Sequence, residues 1–203
     1  MKFYNSIGPN PRVVRMFAAE RGVALPMEEV DLVAGDNRKE AHLARHPMGQ
    51  LPALQLDDGS YLSEITVICE YLDEVSPGPS LIGATPRERA ETRMWVRRND
   101  LNIIEPLTNG FRFSKGLKLF QNRIRVIPEA AEALQATAKD NLKRIEPLLA
   151  GRQFLCGDRF TLADIHLFGF LDFGDQVGQK LDPALANLTA WFARIKARPS
   201  TAA

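Results

Sequence analysis

The sequence predicts a small α+β domain of βαβ–ββα order followed by an all-α C-terminal helical domain. Alternating strand and helix patterns fill the first seventy-odd residues. The stretch "SPGPSLIGATP" then stops all periodicity, and only helical patterns follow it. The expected boundaries are residues 1–76 for the first domain, 77–85 for a linker and 86–203 for the helical domain.

Each element has a local reason. "KFYN" reads as a short strand, and "PRVVRMFAAERG" sets Val13, Val14, Phe17 and Ala18 on one helical face. Asn10 is the expected N-cap with Pro11 at the first helical position, and Gly22 closes the helix. "MEEVDLV" is a second strand, so the opening unit is a crossover joining a parallel pair. "NRKEAHLARH" predicts a second helix stopped by Pro47. "PALQL", "DDG" and "SYL" make a hairpin, and "EITVICEYLDEV" a helix that aligns Ile65, Ile68, Cys69 and Leu72.

Beyond the break, Thr85 caps and Pro86 starts one long helix through "RERAETRMWVRRNDLNIIEPL". "EAAEALQATAKDNLKRIEPLLAG" is the next, with Leu134, Ala138, Leu142, Ile145 and Leu149 apolar, and "ALANLTAWFARIKARP" the last. Between them "TLAD" is a capping box in which Thr161 caps and Asp164 reaches back, with Phe160 and Ile165 at staple spacing. That box is structural and should contribute roughly 1–2 kcal/mol to its helix.

Composition narrows the function classes. Lys plus Arg (26) almost balances Asp plus Glu (25), so no global field favours a polyanion and nucleic acid is not an expected partner. No stretch reaches the ~18 apolar residues of a membrane span, and "MKFYNS" lacks the apolar core of a signal peptide. Cys69 and Cys156 sit in apolar surroundings and make no disulfide framework, which fits a reducing cytoplasm. His42, His46 and His166 have no metal-ligand spacing, so no metal is expected.

"GQLPAL" places Pro52 at a strand entry, where it either starts the strand or sits in a cis turn. In the cis case the Leu51 N–H and C=O turn outward, ready to pair with an extended peptide. "GQLPAL", the following "SE" and the later "GDRFTLADI", in this order, resemble the cytosolic glutathione S-transferases over essentially the whole chain. The resemblance implies a thioredoxin-like domain that holds glutathione, a helical domain that supplies the electrophile pocket, and a homodimer.

By that resemblance Leu51, before Pro52, pairs through its backbone with the cysteinyl part of glutathione, and Gln50 approaches the tripeptide from the same turn. Glu64 and Ile65 match an acid–hydroxyl pair that grips the γ-glutamyl end at a helix N-terminus; Ile65 departs from the usual Ser or Thr. Asn37 and Arg38 match positions that hold the glycyl carboxylate. His46 stands where the family has Asn, as a support for the loop.

Thiol activation is where the chain departs most. A free thiol titrates near 8.5, and lowering that by two units takes about 2.7 kcal/mol of anion stabilisation. The family supplies it with a Tyr, Ser or Cys in the first turn, whereas this chain has Gly8, Pro9 or Asn10 there. Tyr4 packs in the core, which leaves Asn10 and Ser6 as the catalytic candidates. The resemblance then implies conjugation of glutathione to small hydrophobic electrophiles, with Phe111, Phe113 and Phe120 near the pocket. Two alternatives stand beside it: peroxide or disulfide reduction by glutathione, and a ligand-binding module without turnover.

Overall fold

The computed structural model describes all residues from Met1 to Ala203 and divides into two compact units. The first unit contains Met1–Ala84 and Pro199–Ala203, and the second Thr85–Arg198.

In the first unit, β1 (Lys2–Asn5) leads through α1 (Pro9–Glu20) to β2 (Met27–Glu29). A short α2 (Glu40–Leu43) precedes the hairpin β3 (Ala53–Gln55) and β4 (Tyr61–Leu62), and α3 (Ile65–Val75) closes the unit. The sheet order is β2-β1-β3-β4, with β1 parallel to β2 and antiparallel to β3. This is the expected βαβ–ββα arrangement. Phe3, Val13, Val14, Phe17, Ile68, Cys69 and Leu72 are fully buried, so the faces read from periodicity are the faces that pack.

Two local expectations are corrected. Asn10 does not cap α1: the N-cap is Gly8, with φ 108°, and no side chain caps the helix. Pro9 takes the first helical position, where its missing N–H has no intrahelical role, and the chain needs the positive φ that glycine supplies just before it. The second helix is also shorter than its pattern, a 3₁₀ turn at Asp36–Arg38 and one α-turn in α2.

The expected linker is an ordered strap on the first unit. Arg21, almost fully buried, pairs with Asp73 at 3.1 Å, donates to the Ser76 carbonyl at 2.8 Å and also meets the Pro79 carbonyl. Asp73 in turn accepts from Leu81 N–H at 2.9 Å and from the Ser80 hydroxyl. The C-terminal turn belongs to this unit as well, with Arg12 donating to the Thr201 carbonyl and Ser200 to Glu20.

The second unit is helical: α4 (Pro86–Asn99), α5 (Glu105–Arg112), α6 (Leu117–Phe120), α7 (Ala131–Ile145), α8 (Leu162–Gln176) and α9 (Ala186–Lys196). Thr85 and Glu88 form a complete capping box on α4, as do Thr161 and Asp164 on α8. The single long helix expected from residue 86 is instead interrupted by a π-turn over Asp100–Ile104. Pro106 explains it: a proline cannot donate to the carbonyl four residues back and its ring crowds that carbonyl. The carbonyl is that of Asn102, and the buried Asn141 of α7 satisfies it through Nδ2 at 2.8 Å. Asn141→Ala removes that donor and should destabilise the protein by about 1–3 kcal/mol, measured by urea unfolding.

No helix is long and apolar enough to cross a membrane.

Candidate functional site

Strand register gathers the expected site residues at one end of the sheet. Tyr4 at the end of β1 pairs with Ala53 at the start of β3, and Leu54 pairs with Leu62 at the end of β4. The turn at 6–10, the loop at 49–52 and the turn at 63–65 therefore leave the sheet at the same end, the C-terminal end of β1. Each of them offers main-chain groups.

The first is the start of α1. An α-helix leaves four N–H groups without intrahelical acceptors, and here Pro9 and Pro11 remove two of them. The N–H groups of Gly8 and Asn10 remain, at the positive end of the helix dipole. The Asn10 side chain is half-buried and takes part in no cap, so both ends of its carboxamide are available. Ser6 is placed differently. Its hydroxyl is buried and donates to the Val30 carbonyl at 2.7 Å, tying β1 to the chain after β2. Its only proton is therefore committed to the backbone. Tyr4 packs in the core, where its hydroxyl reaches Gln55 at 3.3 Å and Arg45 stacks on its ring.

The second is the Leu51–Pro52 loop, where the peptide bond is cis. The Leu51 side chain is anchored in a cluster with Tyr4, Val30 and Ala53, while its main-chain groups precede the register that begins at Ala53. His42 holds the loop from beneath, its Nε2 lying 2.7 Å from the Gln50 carbonyl, while the Gln50 side chain is exposed. With Nε2–H as the donor, this contact fixes the tautomer. Asn37 serves the same loop. It is buried and donates through Nδ2 to the Gly49 carbonyl at 2.6 Å, so its amide NH₂ supports the loop. Gly49, at φ 61°, is packed so closely that a Cβ would lie 2.9 Å from the Asn37 carbonyl oxygen. Arg38 remains exposed, its guanidinium donating to the Met48 carbonyl at 3.2 Å.

The third is Glu64, the one non-glycine residue with positive φ (68°). That conformation costs a residue with a Cβ about 1–3 kcal/mol and persists only where the surroundings impose it. Glu64 is the N-cap of α3 but contributes no side-chain bond, so the first N–H groups of α3 lie open beside an exposed carboxylate. Ile65 offers only its backbone N–H. His46 is buried beneath this edge and stacks on His42 with ring centroids 6.4 Å apart. Burial holds the His46 imidazole below its ordinary pKa, the Glu64 carboxylate acting in the opposite sense, so it is neutral at neutral pH.

Sequence reading missed His42 and Gly49. The signal lay in "MGQLP" itself, because a loop that presents its backbone needs both a close approach and a hidden brace.

Elsewhere the candidate residues are structural. Asp164 is fully buried and accepts from Leu155 N–H at 2.9 Å, Thr161 N–H at 3.0 Å and Trp191 Nε1 at 2.9 Å. His166 is buried against the edge of Phe170, with Nε2 3.2 Å from Asp100. Cys69 and Cys156 are buried free thiols whose pKa values burial raises, the opposite of a reactive thiol. Phe113 is buried in the core, whereas Phe111 and Phe120 are half-exposed and meet edge to face. No group of three or more His, Cys, Asp or Glu side chains is arranged to hold a metal.

Comparison with known proteins matches residues 7–75 to the family profile "Glutathione S-transferase, N-terminal domain" and residues 115–199 to "Glutathione S-transferase, C-terminal domain". The chain is 30% identical over 200 residues to "Glutathione S-transferase 2" of Saccharomyces cerevisiae, covering 95% of this chain and 84% of that one. It is 30% identical over 171 residues to a maleylacetoacetate isomerase of Pseudomonas aeruginosa, covering 83% and 78%. A solved glutathione S-transferase domain-containing protein of Marinobacter aquaeolei superposes with a TM-score of 0.93 at 34% identity, covering 99% of this chain and 100% of that one. The three main-chain devices at one end of the sheet thus sit in a chain that belongs to the glutathione S-transferase family, whose members carry out glutathione-dependent transfer or isomerisation.

Proposed function

We propose that this protein binds glutathione at the C-terminal end of β1 and transfers its thiolate to small hydrophobic electrophiles. The observation that carries the reading is Glu64: it holds a strained backbone at the open N-terminus of α3, and its exposed carboxylate makes no capping bond there. A γ-glutamyl ammonium suits its charge, and the γ-glutamyl carboxylate suits the α3 N–H groups. The Leu51 N–H and C=O then pair with the cysteinyl backbone in the manner of an added strand, with Gln50 alongside. Arg38 receives the glycyl carboxylate, and Asn37 supports the loop behind it.

This pose carries the sulfur to the start of α1. There the Asn10 NH₂, the Asn10 N–H and the Gly8 N–H stabilise the thiolate, and the thiol proton leaves to solvent. Sulfur attacks the electrophilic carbon, a C–S bond forms, and the leaving group departs with its electron pair. Two half-exposed phenylalanines of the helical unit, Phe111 and Phe120, offer an apolar surface for the electrophile. The protein works as a homodimer in the cytoplasm.

Retention on immobilised glutathione, turnover of an aryl halide and sedimentation test this reading together. Retention, conjugate formation and a dimer at micromolar concentration are expected. Retention with turnover of an organic hydroperoxide alone would replace transfer by peroxide reduction. Retention without any turnover would leave a binding module, and no retention would refute the site.

A further inference from the structure

The second unit contains a cation with no carboxylate in direct contact. Arg112 ends α5, and its guanidinium is half-buried, a desolvation that lowers its pKa. It donates Nη1–H to Asn109 Oδ1 at 3.0 Å and forms no ion pair. The charge that compensates it, Glu105, lies two turns back on the same helix and is reached through Asn109, whose Nδ2 donates to Glu105 Oε1 at 2.8 Å. Buried charges are ordinarily paired with carboxylates or fully hydrogen-bonded, because desolvation without a partner costs several kcal/mol. Most of the five N–H donors of this half-buried guanidinium have no protein acceptor.

The surroundings have a definite chemistry. Arg112 lies over the ring of Phe120 at 5.6 Å, Phe120 meets Phe111 edge to face at 6.1 Å, and Phe111 meets Phe173 of α8 perpendicularly at 5.1 Å. All three rings are half-exposed. A cluster of aromatic edges beside a planar fork of donors is matched by a flat apolar ligand that carries a carboxylate. We infer that Arg112, with Phe111, Phe120 and Phe173, forms a subsite for aromatic carboxylates, so that this protein prefers anionic aryl electrophiles over neutral ones. The inference rests on the reading that the helical unit receives the electrophile.

The test uses a chloronitrobenzoate and its neutral isostere, the matching chloronitrobenzamide. Both react by the same displacement, in which the glutathione sulfur bonds the ring carbon and chloride leaves. Binding of each is first measured calorimetrically without glutathione, on the wild type, Arg112→Gln and Arg112→Lys, with melting curves to establish folding. The wild type should bind the benzoate about ten- to hundredfold more tightly than the benzamide, the scale of a charge-assisted bidentate pair. Arg112→Gln should abolish the preference, and Arg112→Lys should retain part of it. With glutathione present, the same preference should appear in kcat/KM.

Equal binding of the two probes by the wild type, no binding of either, or a preference that survives Arg112→Gln overturns the inference. The wild-type and Arg112→Lys comparison decides it even where Arg112→Gln does not fold. Preferential binding without turnover upholds the subsite and refutes the transferase reading, whereas turnover of both probes at equal kcat/KM does the reverse.

Discussion

Replacing Asn10 with alanine is expected to lower turnover at neutral pH by about ten- to hundredfold while leaving the melting temperature nearly unchanged. The first part follows from the loss of a hydrogen bond to an ionised sulfur, worth about 1.5–3 kcal/mol. The second follows from the start of α1 at Pro9: with no side-chain cap in place, Asn10→Ala removes no capping bond. Turnover of the variant should recover as pH rises toward the ordinary thiol pKa, because the thiolate then forms without help. Asn10→Asp sets a carboxylate against the thiolate and should be no more active than Asn10→Ala. Ser6→Ala should cost stability, since it leaves the buried Val30 carbonyl without its donor, yet keep most of the activity. An active Asn10→Asp protein beside an inactive Ser6→Ala protein would move the donor to Ser6.

The largest stability effect is expected at Asp164. Asp164→Ala deprives the N–H groups of Leu155 and Thr161 and Nε1 of Trp191 of a shared acceptor, all at buried positions. A loss of about 3–5 kcal/mol follows, or roughly 10 °C in melting temperature for a chain of this size. The same site has a pH signature. Burial pushes the Asp164 carboxyl from an ordinary 3.8 up to about 6, against the four hydrogen bonds that favour its ionised form. The folded protein therefore holds this proton more tightly than the unfolded chain between about pH 4 and 6. This carboxyl's contribution to stability is greatest below that window and falls by up to about 3 kcal/mol as pH rises through it, remaining level above. Asp164→Asn cannot ionise, so urea unfolding of parent and variant at pH 4.5 and 7 should show the difference only in the parent's slope. A parent and variant with the same pH dependence would remove Asp164 as its source.

What could be read from sequence depended on the range of the forces involved. Both capping boxes were legible because cap and reaching carboxylate lie three residues apart, and the sheet order followed from a crossover and a hairpin. The start of α1 was misplaced because "GPNPR" fits two helical starts, and only the backbone angle at Gly8 distinguishes them. The π-turn had one local clue, Pro106, while the donor that completes it comes from Asn141, 39 residues away. Residues 77–84 looked like a linker by composition, yet Arg21 and Asp73 bind them to the first unit through contacts that no local pattern encodes.

The site was legible unevenly for the same reason. Leu51, Pro52, Gln50 and Glu64 stand out as candidates through short motifs, because main-chain presentation needs a proline, a turn and a helix start close together. The bond from Asn37 to the Gly49 carbonyl is a tertiary fact that no motif encodes. Ser6 was ambiguous until its hydroxyl was seen to face Val30 rather than solvent. Arg112 carries no motif at all; only its half-buried guanidinium, bonded to Asn109 and not to a carboxylate, marks it.

The account turns on sulfur ionising at the start of α1, and an ultraviolet titration of the thiolate of bound glutathione measures that directly. The thiol should titrate about one to two units below the ~8.5 of a free thiol and return most of the way in Asn10→Ala. A bound thiol that titrates like free glutathione in the parent protein would contradict the account.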